Sequence, residues 1–292
     1  MIVDKPQGWT SHDVVGRVRR LAGTRKVGHA GTLDPMATGV LVVGINRATR
    51  LLSYIVGTSK TYTATIRLGQ ATVTDDAEGE VVSETIAAAI TEEQIRAGVE
   101  RLTGDLLQVP SSVSAIKVAG QRSYARVRSG ETVALEPRPV TVHSFEVHEV
   151  RRERGGRVLD VDATVHCSSG TYVRALARDL GTDLGVGGHL TALRRTEVGP
   201  YGIGAARTLE ELAENFEVLP MAQAARALLP ARELSADEAV ELSFGRRIAP
   251  SGRDTVMAAF APDGSLVALV KDSGPAAKPE LVFAAHDSEQ AE

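Results

Sequence analysis

Apolar positions along the first two-thirds of the chain change period several times, and each change marks an element. Val14, Val15, Val18 and Leu21 fall at helical spacing behind a capping-box pattern at Thr10, Ser11 and Asp13, and Gly23 stops the run. Arg17 and Arg20 sit one turn apart on that helix, away from its apolar stripe. A Gly-rich loop is expected over 28–35, followed by a strand-like run over 40–45 and alternating positions over 61–68. Thr91 with Gln94 opens a second helix that ends near Gly104. Strands over 140–150 and 158–167, a helix over 172–184 and a strand over 190–198 complete this part. Strands and helices mix without regular β-α-β alternation, so the pattern predicts an α+β fold with a largely antiparallel sheet.

Between 109 and 139 the periodicity breaks up among Pro, Gly and basic residues, which reads as a long functional excursion from the sheet. A boundary is expected between 207 and 232. The chain thus divides into a large unit over 1–208, a connecting segment over 209–232, a small β-rich module over 233–285 and a disordered tail over 286–292. The small module carries a helix over 234–245 and strands over 256–261, 266–270 and 281–284.

Hydrophobic residues at 43% and charged residues at 24% are ordinary for a soluble protein. No signal pattern opens the chain and no run approaches 18 uninterrupted apolar residues, so secretion and membrane spanning are not expected. Cys167, the lone cysteine, can form no internal disulfide, which fits a reducing cytoplasm; at the end of an apolar run it reads as a packed core thiol. The net charge of −4 hides an asymmetry. Residues 1–208 hold 26 Lys/Arg against 22 Asp/Glu, a balance of +4, whereas residues 209–292 hold 7 against 15, a balance of −8. Arg17, Arg19, Arg20, Arg25 and Lys26 form one acid-free basic cluster. Lys117, Arg122, Arg126, Arg128 and Arg138 form another around Tyr124, opposed only by Glu131 and Glu136. Such clusters suit phosphate contacts, or simply a solvated face.

Asp34 is the strongest candidate for chemistry. Glycines at 28, 31 and 39 surround it and Pro35 restricts its backbone, so a substrate could approach closely and the carboxylate would point in a fixed direction. A carboxylate that stays ionised while desolvated needs a cationic partner. Arg174 and Arg178, one turn apart on the helix after Gly170, could each supply it, and the spacing does not choose between them. The histidines at 12, 29, 143, 148, 166, 189 and 286 show no metal-ligand spacing, and no dinucleotide or P-loop motif is present, so neither metal nor cofactor is expected. Asp75, Asp76 or Glu78 could supply a second carboxylate, which keeps a glycosidase open as an alternative.

Several longer motifs then occur in order. Lys5-Pro6-Gln7-Gly8-Trp9-Thr10-Ser11, Gly28-His29-Ala30-Gly31-Thr32-Leu33-Asp34-Pro35-Met36-Ala37-Thr38-Gly39, Lys60-Thr61-Tyr62, Arg67-Leu68-Gly69-Gln70, Asp75-Asp76-Ala77-Glu78-Gly79, Cys167-Ser168-Ser169-Gly170-Thr171-Tyr172-Val173-Arg174 and the run over 190–195 together resemble the TruB family of tRNA pseudouridine synthases. The resemblance spans about residues 2–200. It implies the pseudouridine-synthase fold with a PUA-like C-terminal module, and isomerisation of uridine 55 in the T-loop of tRNA without cofactor or metal. It also implies roles for single residues. Asp34 would be the essential carboxylate, Arg174 its partner, and Asp76 the group holding Arg174 from behind. Tyr62 would stack on the flipped base and serve the proton-transfer steps. Tyr172 and Leu193 would line the base pocket, His29 would lie against the T-loop, and Lys5 with Pro6 would support the Asp34 loop.

The excursion over 109–139 would be a thumb-like insertion gripping the T-arm stem-loop, with Lys117, Arg122, Arg126 and Arg128 on phosphates and Arg17 and Arg20 adding to the grip. Arg246, Arg247 and Arg253 would reach the acceptor stem from the acidic module. A cytoplasmic monomer with tRNA as partner is expected. Two other classes remain: an RNA-binding or folding-assistance protein with a vestigial site, and a base-removing glycosidase.

Overall fold

The computed structural model describes residues 1–111 and 135–283, together with the backbone of two short strands, β8 (Lys117–Val118) and β9 (Gln121–Arg122). Among the described residues nine strands form one sheet. Its path runs β1 (Ile2–Lys5), β3 (Thr38–Ile45), β12 (Gly188–Val198), β4 (Lys60–Leu68), β11 (Val158–Cys167), β10 (Arg138–Glu153) and β7 (Gly104–Gln108), with β2 (Val27–Ala30) on β3 and β13 (Tyr201–Gly202) on β12. The β3–β12 pairing is parallel and the other described pairings in this sheet are antiparallel. This is the α+β arrangement that the mixed periodicity predicts.

Period-two alternation sorts the faces of the central strands. Tyr62, Ala64, Ile66 and Leu68 of β4 pack inward with Leu159, Val161, Ala163, Val165 and Cys167 of β11, while Thr61, Thr63, Thr65 and Arg67 point the other way. Two helices cover the apolar face. From α3 (Glu92–Arg101) come Ile95 and Val99, and from α4 (Val173–Asp183) come Leu176, Ala177 and Leu180. Each fully buried Leu or Ile contributes roughly 1.5–3 kcal/mol. The capping boxes read from the sequence open α1 (Ser11–Leu21) at Thr10/Asp13 and α3 at Thr91/Gln94.

Two readings need correction. The Gly-rich stretch expected as loop from residue 28 begins as strand β2. Gly28 pairs with Gly44, and only Val27 and Ala30 are buried, so no apolar alternation announces the strand. The strand expected from residue 140 begins at Arg138, opposite Gln108 of β7, so residues 138 and 139 belong to the sheet and not to the excursion. The side chains of Lys117, Arg122, Arg126 and Arg128 lie outside the described residues, as does the tail over 286–292.

A second sheet orders β14 (Ala231–Glu233), β15 (Met257–Phe260), β16 (Leu266–Ser273) and β17 (Ala276–Val282), beside a helix over Ala236–Ser243. Leu51, Ala225, Phe260, Leu269 and Phe283 form one apolar cluster joining this sheet to the large unit. Arg47 and Arg50 add hydrogen bonds to the carbonyls of Phe283 (3.1 Å) and Val282 (2.6 Å).

The parallel β3–β12 contact leaves no room at Gly39. Its φ is +98°, and a Cβ there would lie 2.2 Å from the carbonyl oxygen of Arg195. Gly39→Ala is therefore expected to lower the unfolding free energy by about 2–4 kcal/mol, from the left-handed backbone and the clash together. Urea unfolding of the purified variant checks this, and an unchanged midpoint would contradict the packing described.

Candidate active site

Asp34 sits in the turn between β2 and β3, and both of its chain neighbours are tied down. The Ser11 hydroxyl accepts from the Leu33 N–H at 2.9 Å and donates to the Leu33 carbonyl at 3.2 Å. On the other side, the Pro35 carbonyl accepts from the Gly8 N–H at 2.8 Å and from Lys5 Nζ at 3.2 Å. Lys5 is fully buried and also donates to the carbonyls of Trp9 (2.6 Å) and Pro6 (2.9 Å). Burial pushes the Lys5 ammonium down to about 8, against the opposing pull of Asp34 and other nearby acids. The Ala37 N–H closes the turn onto the Asp34 carbonyl at 3.1 Å. A catalytic group needs this fixing from more than one side.

The helix spacing left two arginines open, and the geometry separates them. Arg174 Nη2 lies 3.0 Å from Asp34 Oδ2, and its Nη1 lies 3.4 Å from Asp76 Oδ2 and donates to the Thr74 carbonyl at 2.9 Å. The Asp34 side chain is 38% exposed, whereas Arg174 and Asp76 are at 5% and 3%. Asp76 is held in turn by the Thr74 hydroxyl and the Glu78 N–H. Arg178 turns elsewhere, to Asp75 at 3.4 Å, Asp179 at 2.8 Å and the Val109 carbonyl at 2.7 Å. Consecutive acids thus meet consecutive turns of α4. Asp75 adopts φ +59°, a left-handed conformation that non-glycine residues seldom take and that clusters at functional sites.

Asp34 and Arg174 stand on the wall of a cavity of about 270 Å³, lined also by Tyr62, Leu193, Tyr172, Lys60 and Arg195. Among the described lining residues Asp34 is the only carboxylate. Tyr62 is buried, and that burial raises its hydroxyl above the usual tyrosine range while the neighbouring Arg195 opposes the rise. Tyr172 precedes α4, and its backbone is clasped by Gln108, whose side chain accepts from the Tyr172 N–H (2.8 Å) and donates to its carbonyl (3.1 Å). The base of the excursion is thereby fastened beside the cavity.

Asp34, Tyr62, Arg174, Tyr172 and Leu193 come together on this wall, and Lys5 and Asp76 brace it from behind. His29 lies outside the lining, edge-on to His12 with ring centroids 5.8 Å apart, and its ring is held below the ordinary histidine range by burial and by His12. Arg20 is exposed and Arg17 half-buried on α1, away from the cavity. Arg246, Arg247 and Arg253 are exposed on the second-sheet module. Cys167 is buried, its thiol pushed up to about 11 by burial, as a packed core residue should be. The sequence reading missed Lys60 and Arg195, whose charges gave no reason to place them inside a sheet. Among the described residues no cluster of three or more His, Cys, Asp or Glu could hold a metal ion, and no helix is long and apolar enough to cross a membrane.

Comparison with known proteins covers nearly the whole chain. Residues 19–173 match the TruB family pseudouridylate synthase N-terminal domain, residues 174–235 the tRNA pseudouridylate synthase B C-terminal domain, and residues 229–284 the tRNA pseudouridine synthase II C-terminal domain. The chain is 74% identical to tRNA pseudouridine synthase B of Arthrobacter sp. (strain FB24), over 97% of this chain and 96% of that one. It is 60% identical to tRNA pseudouridine synthase B of Thermobifida fusca (strain YX), over 97% and 98%. Among solved structures it superposes on a chain of a Cbf5-Nop10-Gar1 complex with a TM-score of 0.74 at 28% identity, covering 97% of this chain and 84% of that one. An H/ACA RNP bound to a substrate RNA containing 2'-deoxyuridine gives a TM-score of 0.74 at 26% identity, covering 98% and 85%.

Burial sets how much each acid matters to the fold. Asp76→Ala strips the buried Arg174 of one partner and orphans Thr74 and Glu78, so a loss of about 2 kcal/mol in unfolding free energy is expected. Asp34→Ala removes a partly exposed acid and should cost under about 1 kcal/mol. Thermal and urea unfolding of both variants tests the order, and the reverse order would refute this assignment of support and reacting group.

Proposed function

The chain belongs to the TruB family of pseudouridylate synthases, and from that membership we propose how its residues share the reaction. It makes pseudouridine 55 in tRNA, an isomerisation that moves uracil from an N1 to a C5 attachment on the same ribose. The target base is stacked in a folded RNA and must first be everted, at a cost of a few kcal/mol that phosphate contacts and stacking offset. In our reading the cavity receives that base, with Tyr62 stacking on it and Leu193 and Tyr172 enclosing it.

Breaking the C1′–N1 bond develops positive charge on the ribose, and Asp34 meets that charge. Arg174 holds the carboxylate and aims it, and Asp76 keeps Arg174 in place. Tyr62 serves the proton transfer at C5. No water needs activating, because the displaced uracil is also the incoming group, and on this reading neither metal nor cofactor takes part. The observation that carries the proposal is one carboxylate, held by one buried guanidinium, on the wall of a base-sized cavity. A base-removing glycosidase would ordinarily need a second acid there. Of the three other candidates, Asp75 is engaged by Arg178 and Asp76 by Arg174, and Glu78 is exposed; all three are off the lining.

Substrate grip falls to surfaces around this cavity. We assign residues 1–208 to catalysis, with the excursion over 109–139 on the T-arm stem-loop through Lys117, Arg122, Arg126 and Arg128, and Arg17 and Arg20 on flanking phosphates. His29 would face the loop that the base has left. The module over 233–285 would reach the acceptor stem through Arg246, Arg247 and Arg253. The protein would act as a cytoplasmic monomer and would also assist tRNA folding.

Wild-type protein is expected to release tritium from a tRNA transcript labelled at uracil C5. Asp34→Asn should abolish release, with conversion down by more than about 10³-fold, while still retaining the tRNA on filters. Release by Asp34→Asn at the wild-type rate would refute the assignment, and free uracil in the product would point to the glycosidase instead.

A further inference from the structure

Two cations in the cavity wall have no carboxylate partner. Lys60 and Arg195 are 6% and 1% exposed, and both line the cavity beside Asp34, Tyr62 and Leu193. Their hydrogen bonds run to backbone carbonyls and, for Arg195, to the Tyr62 hydroxyl as well. Lys60 Nζ donates to Val56 at 2.6 Å and Thr58 at 2.5 Å, and Arg195 donates to Val40 through Nε at 2.7 Å and to Gly31 through Nη2 at 3.0 Å. Among the described residues neither side chain enters a salt bridge, whereas Arg174 has two carboxylates. Buried charge without a counter-ion is strongly disfavoured, so its retention in a reaction cavity points to an anion that arrives there.

The reaction makes one. When C1′–N1 breaks, its electron pair leaves with N1, and uracil becomes a monoanion with charge shared among N1, O2 and O4. C5 then bonds to C1′, the C5 proton is lost and N1 gains a proton, so the sequence balances without a co-reactant. We infer that Lys60 and Arg195 form a cationic wall that stabilises the displaced uracil anion while it turns, an inference that rests on the isomerase reading above. Fixed donors and charges aimed at charge that appears only during the reaction are the most effective form of electrostatic catalysis.

Lys60 also marks the contribution with a pH signature. It opens β4 opposite Cys167 of β11 and Val198 of β12, feels the charge of Arg195 opposite Tyr62 on the same strand face, and lines the cavity with Asp34 and Arg174. Burial, reinforced by Arg195, lowers its ammonium to about 8. The charge is present below that value and lost as pH rises through it, so conversion should fall above about pH 8. Lys5 has a similar value behind the Asp34 loop, so the assignment turns on residue 60 itself.

The experiment measures single-turnover tritium release from the C5-labelled tRNA transcript, from about pH 6 to 10, for wild type, Lys60→Met and Lys60→Arg, with filter binding alongside. Lys60→Met should convert about 10²-fold more slowly with its Kd for tRNA within about threefold of wild type. Lys60→Arg, which cannot lose its charge, should retain conversion and move the alkaline fall upward. Wild-type conversion by Lys60→Met, or a fall at the same pH in Lys60→Arg, overturns the inference. Should Lys60→Met fail to fold, the Lys60→Arg profile decides alone. Wild-type release tests the isomerase reading separately, because it does not depend on either variant.

Discussion

The contact between Asp34 and Arg174, 3.0 Å apart, joins the cavity to its buried support. A guanidinium 5% exposed needs compensation, and a carboxylate facing a cavity needs a fixed partner to hold its direction. One cation shared between Asp34 and Asp76 meets both demands. The rest of the neighbourhood follows from keeping that trio aligned. Asp76 is tied to Thr74 and Glu78, and the Thr74 carbonyl takes another of the Arg174 donors. Asp75 and Arg178 repeat the acid–arginine rung one turn along α4 and fasten the start of the excursion through Val109.

The turn carrying Asp34 is stiff for reasons that lie in the sheet. It connects β2 to β3, and β3 is the strand that meets β12 in parallel at Thr38↔Arg194 and Gly39↔Arg195. Arg195 reaches back from that junction to the carbonyls of Val40 and Gly31, so strand pairing and loop geometry are coupled through one side chain. Ser11 from α1 and Lys5 from β1 complete the brace on the far side. Elements from four parts of the chain thus fix one carboxylate, and ordered surroundings of this kind let a site act without reorganising at the moment of reaction.

Much of this was legible before any coordinates. Two-residue and helical periods marked β4, β11, β12 and α4 to within a residue or two, because those elements bury one face and expose the other. Asp34 stood out through its glycines and Pro35, and motif order named the family. The limits were physical too. β2 was hidden because its strand is half glycine and histidine. Arg174 and Arg178 share a helix face by spacing, and only the positions of Asp34, Asp75 and Asp76 in space separate them. Lys60 and Arg195 were passed over because a charged residue in a strand reads as solvent-facing, and only burial shows that both point inward. The basic cluster over 117–128 was visible as charge, yet charge alone does not say which phosphate it meets.

Taken together, the cavity wall is polarised in the sense the chemistry requires. Heterolysis of C1′–N1 separates charge, positive on the ribose and negative on the uracil. On the proposed reading Asp34 offers negative charge to the first, while Lys60 and Arg195 offer positive charge to the second. Water could solvate both fragments but would have to reorient around each, whereas these groups are already held by Arg174 on one side and by backbone carbonyls on the other. The same arrangement would disfavour a hydrolytic outcome. The displaced base stays bound by its own charge next to the carbon it left, so recapture through C5 competes well against escape. A single acid would then suffice for a reaction that, without those two cations, would lean toward losing the base.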